Sequence, residues 1–164
     1  MSMTHYMELL ATNQPWNLLI YMAIPVILAE TIAITELSLL LTRNFSGTIR
    51  TINRLAGIAA GIYFIPIFFH LVSSAVIPLT ASGGWRGPAD VIAVISYLLG
   101  VVPLSGIALL ELGIIGRHLD DAGKMKWHAF FVGLFLVVAH IAMIFGMLSP
   151  EILTPNAMPH DMTM

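Results

Sequence analysis

The sequence predicts an all-α integral membrane protein, a four-transmembrane-helix up-and-down bundle, and three observations carry that reading. Four apolar stretches each approach the ~20 residues needed to cross a hydrocarbon core. The 164-residue chain is 58% hydrophobic and 10% charged, with a mean hydropathy of +0.90. A soluble domain carries about 25% charged residues because its surface faces water. The links between the stretches are short, which makes consecutive helices antiparallel neighbours. A single transmembrane domain over 1–164 follows.

The elements run in this order. Residues 1–15 contain no Lys or Arg and carry Glu8, so they lack the charged region that opens a signal peptide. The first span is therefore expected to direct insertion itself. Thr4 to Thr12 is expected to form one or two turns on the outer surface. Helix one covers about 16–42, opening at Trp16, and Asn44, Ser46 and Gly47 break the chain after it. Helix two covers about 52–79, and a Gly-rich link from Thr80 to Pro88 follows. Helix three covers about 89–116. Arg117 to Lys126, with two aspartates and Gly123, links it to helix four at about 127–148. Residues 149–164, rich in Pro and Met, form an extended outer tail.

Orientation follows from the basic residues. Arg43, Arg50, Arg54, Arg117, Lys124 and Lys126 fall on one side of the bundle and only Arg86 on the other. The positive-inside rule assigns the first side to the cytoplasm. Both termini then lie outside, on the periplasmic face of a bacterial-type inner membrane. Trp16, Trp85 and Trp127 stand at span boundaries, where amphipathic rings concentrate.

Composition also excludes classes of function. A net charge of −2 with no charged run argues against nucleic acid as a partner. The absence of cysteine excludes disulfides, thiolate metal sites, iron–sulfur clusters and covalently attached c-type haem. No Walker A, G-x-G-x-x-G, His-Glu-x-x-His or G-x-S-x-G pattern is present. A soluble-type catalytic site is thus not expected, which leaves membrane redox chemistry open.

Ionisable side chains inside a span are costly and raise a functional hypothesis by default. They are Glu30 and Glu36 in helix one, His70 in helix two, Glu111 in helix three and His140 in helix four. Counted at 1.5 Å per residue, Glu30, His70 and His140 share the middle-to-outer half of the bundle, and Glu36 and Glu111 its inner third. Thr35 and Ser105 are the hydroxyl partners available to the inner pair. Asp90 and His128 sit nearer the boundaries and are expected to reach headgroups or water. Glu30 and Glu36 differ by about 240° around their helix, so they cannot face the same neighbour.

Helices two and four are diagonal in a four-helix ring, so His70 and His140 are expected to face each other across the axis. Two facing imidazoles are the ligand set of a b-type haem. With Glu30 they make a two-histidine, one-carboxylate set for a divalent metal. The expected function is electron or proton transfer at this site. The alternative is a small permease or proton-coupled carrier, with a proton path through Glu30, Glu36 and Glu111. A further alternative is a non-catalytic subunit of a larger membrane complex or a homo-oligomer. Gly57, Gly61, Gly133 and Gly146 allow close helix approach, and Pro25, Pro66 and Pro103 place bends near the ionisable residues.

The two tails add a weaker signal. Met3, His5 and Met7 at one end and Met158, His160 and Met162 at the other combine thioether with imidazole. Soft ligands of this kind select Cu(I), so copper capture or a protein contact on the outer face is a further expectation. In size and helix count the chain is similar to small four-helix membrane b-type cytochromes, a likeness of fold alone.

Overall fold

The computed structural model of the chain describes residues 3–153, and among these the regular structure is helical throughout. A short helix α1 (His5–Ala11) precedes four helices long and apolar enough to cross a membrane. These are α2 (Trp16–Thr42), α3 (Thr48–Ser82), α4 (Pro88–Glu111) and α5 (Asp121–Met147). A 3-10 turn, Pro150–Leu153, follows. α2 packs on α3, α3 on α4, α4 on α5, and α5 back on α2, closing a ring.

Three helix ends differ from the expected ones by more than a full turn, and each of these differences has a local cause. α3 begins at Thr48, ahead of the expected 52, straight after Gly47 at φ +86°. Arg50 and Arg54 are therefore helical. α5 begins at Asp121 rather than 127, because the Asp120 carboxylate caps it by accepting from the Gly123 amide at 2.8 Å. α4 stops at Glu111 rather than 116. Gly113 at φ +70° reverses the chain, with Ile114 N–H donating to Leu109 O at 2.9 Å, a Schellman-type stop.

Each helix turns one stripe inward. On α2 it is Ala29, Ile32, Glu36 and Leu39; on α3, Asn53, Ala56, Ala60, Phe64 and Ile67. On α4 it is Leu104, Ile107 and Glu111; on α5, Met125, His128, Val132, Phe135 and Ala142. α3 and α4 meet closely because Gly61 has no side chain: a Cβ there would lie 2.5 Å from Ala108 Cβ and 2.7 Å from Leu104 O.

Proline effects are local. Pro25 cannot bond the carbonyl of Tyr21, and the Tyr97 hydroxyl donates to that oxygen instead at 2.6 Å. π-helical turns fall at Leu19–Ala23 in α2 and Val72–Val76 in α3, and α4 is interrupted at Gly100.

The six basic residues of the two links and adjoining helix starts gather at one end, called here the basic end. The first and last described segments meet at the opposite end. Thr4 Oγ1 donates to Gly146 O at 2.6 Å, and Gly87, at φ +151°, lies against Pro150, whose carbonyl would be 2.2 Å from any Cβ.

Candidate functional site

Near the basic end the four inward stripes each deliver one polar residue to the same level: Glu36 from α2, Asn53 from α3, Glu111 from α4 and His128 from α5. Asn53 and His128 are 0% exposed, Glu36 3% and Glu111 8%. Groups of this kind are rarely buried unless something compensates them.

Arg50 supplies much of that compensation. One turn before Asn53 on α3, it grips Glu111 with both terminal nitrogens, Nη1 to Oε1 at 2.7 Å and Nη2 to Oε2 at 2.9 Å. This is the planar fork that suits a carboxylate. The same Nη1 donates to Asn53 Oδ1 at 3.2 Å. Asn53 Nδ2 in turn donates to Ile32 O at 3.2 Å and Thr35 Oγ1 at 3.0 Å, tying α3 to α2. Arg54 stands 3.9 Å from Glu111. A carboxylate in the last turn of a helix opposes the helix dipole, and these guanidinium groups offset that.

His128 sits between the two carboxylates. Its Nε2 is 2.7 Å from Glu111 Oε1, and its Nδ1 is 3.6 Å from Glu36 Oε2. Both are ion-pair approaches without hydrogen-bond alignment. Among the described residues neither Glu36 oxygen has a hydrogen-bond partner. The cluster is thus well bonded on the Arg50 side and under-bonded on the Glu36 side. Gly57 lets Ile107 of α4 pack close beside the cluster, since a Cβ there would be 2.7 Å from Ile107 Cγ2.

A cavity of about 680 Å³ opens beside the cluster, lined by Arg50, Arg54, Ile58, Glu111, Asp121 and Lys124. On the far side of Glu36 the inward residues are apolar: Ile32 and Ala29 on α2, Ala60 and Phe64 on α3, Leu104 on α4. The polar track therefore runs from the cavity through Glu111 and His128 to Glu36 and stops there.

The expected inner layer of Glu36 and Glu111 is present, and Thr35 takes part in it through Asn53. The expected outer layer is not drawn together. Glu30, His70 and His140 are all exposed, on the outward surface of the bundle rather than its axis. His70 lies beside Tyr21, ring centroids 6.5 Å apart and nearly parallel, and His140 Nδ1 is 2.6 Å from its own helix's Leu136 O. Among the described residues no hydrogen bond or ion pair joins these three, and no group of three or more His, Asp or Glu is placed to hold a metal ion. Their helical phase explains this: His140 is out of step with the inward stripe that contains His128 and Phe135.

His128 and Asp90 correct the expectation that boundary residues reach headgroups or water, for both are fully buried. His128 is enclosed because α5 begins before Trp127. Asp90 anchors the opposite end. It accepts from His5 N at 2.6 Å and Arg86 N at 3.2 Å, and its Oδ2 is 2.5 Å from His5 Nδ1. Arg86 also bonds Glu8 and the Met3 carbonyl. These contacts strap α1 across that end. Burial pushes the Tyr6 phenol up to about 12, so α1 docks through a neutral ring against Tyr97. Of the expected outer copper ligands, His5 is occupied by Asp90 and Met7 packs against the core. Met158, His160 and Met162 lie outside the described residues.

The chain matches DUF6803, described as a family of unknown function, over residues 1–162, and it belongs to that family. No curated protein and no solved structure matches it.

Proposed function

We propose that this member of DUF6803 is a multi-pass protein of a bacterial-type inner membrane that moves protons through an intramembrane His/Glu site, as a small proton permease. The basic end faces the cytoplasm in this reading, in line with the positive-inside rule, and both termini lie outside.

The observation that carries the reading is His128, fully buried and held between Glu36 and Glu111, the latter lining the cavity. An imidazole accepts a proton on one nitrogen and releases one from the other. Glu111 meets the cavity, His128 relays, and Glu36 is the inner station. Arg50 holds Glu111 in place and balances its charge. Because apolar residues lie beyond Glu36, a proton delivered there needs a rearrangement of the bundle before it continues. That is the behaviour of a carrier rather than an open channel. A haem or metal held between His70 and His140 of one chain draws no support from their outward placement.

The test is nitrogen NMR of histidine-labelled protein in proteoliposomes, with His128→Gln used for assignment. The expected result is that the His128 ring nitrogens change protonation when pH is changed on the basic side. A His128 signal that ignores the pH of the basic side, or follows only the opposite side, overturns the proposal.

A further inference from the structure

α2 carries two carboxylates with opposite surroundings. Glu36 faces the buried cluster, whereas Glu30 is exposed, with no hydrogen bond or ion pair among the described residues. In the membrane placement proposed above, on which this inference rests, Glu30 lies near mid-bilayer on a face that lipid alone would cover. A carboxyl group there has no hydrogen-bond partner, a costly state.

The residues around Glu30 point to what covers it. In the regular helix Ile24–Thr42, the outward stripe is Ile27, Glu30, Ile34, Leu37 and Leu41, with alternating spacings of three and four. The apolar members are among the more open of the fold, Ile34 at 70% and Leu41 at 75% exposed. In heptad terms Ile27, Ile34 and Leu41 fall at a, and Glu30 and Leu37 at d. β-branched residues at a with Leu at d favour two parallel strands, and one polar residue in such a seam fixes register. Thr31, Ala33 and Ser38 flank the stripe and are small enough for close approach. α2 is also the least covered span: 17% of its most apolar window is buried, against 61% for α4.

We infer that two copies of the chain pair through this face of α2, with Glu30 of one meeting Glu30 of the other. Two copies inserted with the same orientation are related by a two-fold axis along the membrane normal, so their α2 helices run parallel. Each seam residue then meets its own counterpart at the same depth. The two carboxyl groups become each other's hydrogen-bond partners. Pairing in this way leaves the cavity at Glu111 untouched.

The natural absence of cysteine makes the test clean. Single variants Ile34→Cys and Leu41→Cys, oxidised in the bilayer, are expected to give disulfide-linked dimers. The equally outward Ile62→Cys on α3 and Val137→Cys on α5 are expected to stay monomeric. Glu30→Leu is expected to weaken pairing about 10-fold, and Glu30→Gln, which keeps a hydrogen bond, to preserve most of it. Cross-linking at Val137→Cys equal to that at Ile34→Cys, or a monomer by single-molecule photobleaching in bilayers, overturns the inference. Alkaline carbonate extraction separates this failure from the other one. Chain released by carbonate overturns the membrane placement and the seam together, whereas chain that is retained but monomeric overturns the seam alone.

Discussion

His128 and Glu111 stand 2.7 Å apart, Nε2 to Oε1, while Arg50 clamps the same carboxylate through both its terminal nitrogens. One carboxylate thus serves an arginine and a histidine from two different helices. Removing it strands both.

Glu111→Gln keeps the size and discards the charge. Breaking a buried pair by removing one partner typically costs about 3 kcal/mol, so the variant should unfold at a clearly lower denaturant concentration. Adding Arg50→Met should recover part of that loss, because the stranded guanidinium goes too. An unchanged midpoint in the single variant would contradict the pairing.

The strap at the opposite end depends on Asp90. It is fully buried and holds His5 and the Arg86 amide. Asp90→Ala leaves those groups without partners, at roughly 1–3 kcal/mol. Because the loss is local, it should appear as roughly 10- to 100-fold faster hydrogen exchange of the α1 amides, with α3 and α4 unaffected. Uniform acceleration across the bundle would show instead that Asp90 supports the whole fold.

Glycines offer a paired comparison. At Gly61 a methyl group meets Ala108 Cβ and the Leu104 carbonyl, while at Gly133 it meets open space. Gly61→Ala should force α3 from α4 and lower stability by about 1–3 kcal/mol, and Gly133→Ala should leave thermal stability essentially unchanged. Equal melting temperatures for the two variants would argue against the close α3–α4 contact.

Tyr97 donates to the Tyr21 carbonyl that Pro25 leaves free. Tyr97→Phe should cost about 1 kcal/mol in the natural background. It should cost less with Pro25→Ala, since the restored amide can bond that carbonyl. A double-mutant cycle with no coupling would dissociate the proline from the tyrosine bond.

Much of the fold was legible because apolar length and link length act directly on it. The inner carboxylates Glu36 and Glu111 were legible too, since depth is a simple count along a helix. Facing was harder. His70 and His140 share a depth range with Glu30, but which way a side chain points depends on where its helix starts and on its phase against its neighbours. Asp120 capping α5 placed His128 inside the bundle, and the start of α3 at Thr48 brought Arg50 within reach of Glu111. Neither cap stands out in an apolar pattern. The inward stripe of His128, Val132, Phe135 and Ala142 is a helical repeat that could have identified this histidine. The strap of α1 onto Asp90 joins residues too distant in sequence for any local pattern to show.

The most direct test of the central claim is proton flux into proteoliposomes that contain a pH-sensitive dye, with the membrane potential clamped and a pH gradient imposed. The account predicts that wild-type protein dissipates the gradient faster than protein-free liposomes. His128→Ala and Glu36→Gln should return the rate to the protein-free level while remaining folded and bilayer-inserted. Wild-type vesicles that hold the gradient as well as empty ones, or variants that dissipate it at the wild-type rate, would contradict the claim that this buried cluster carries protons.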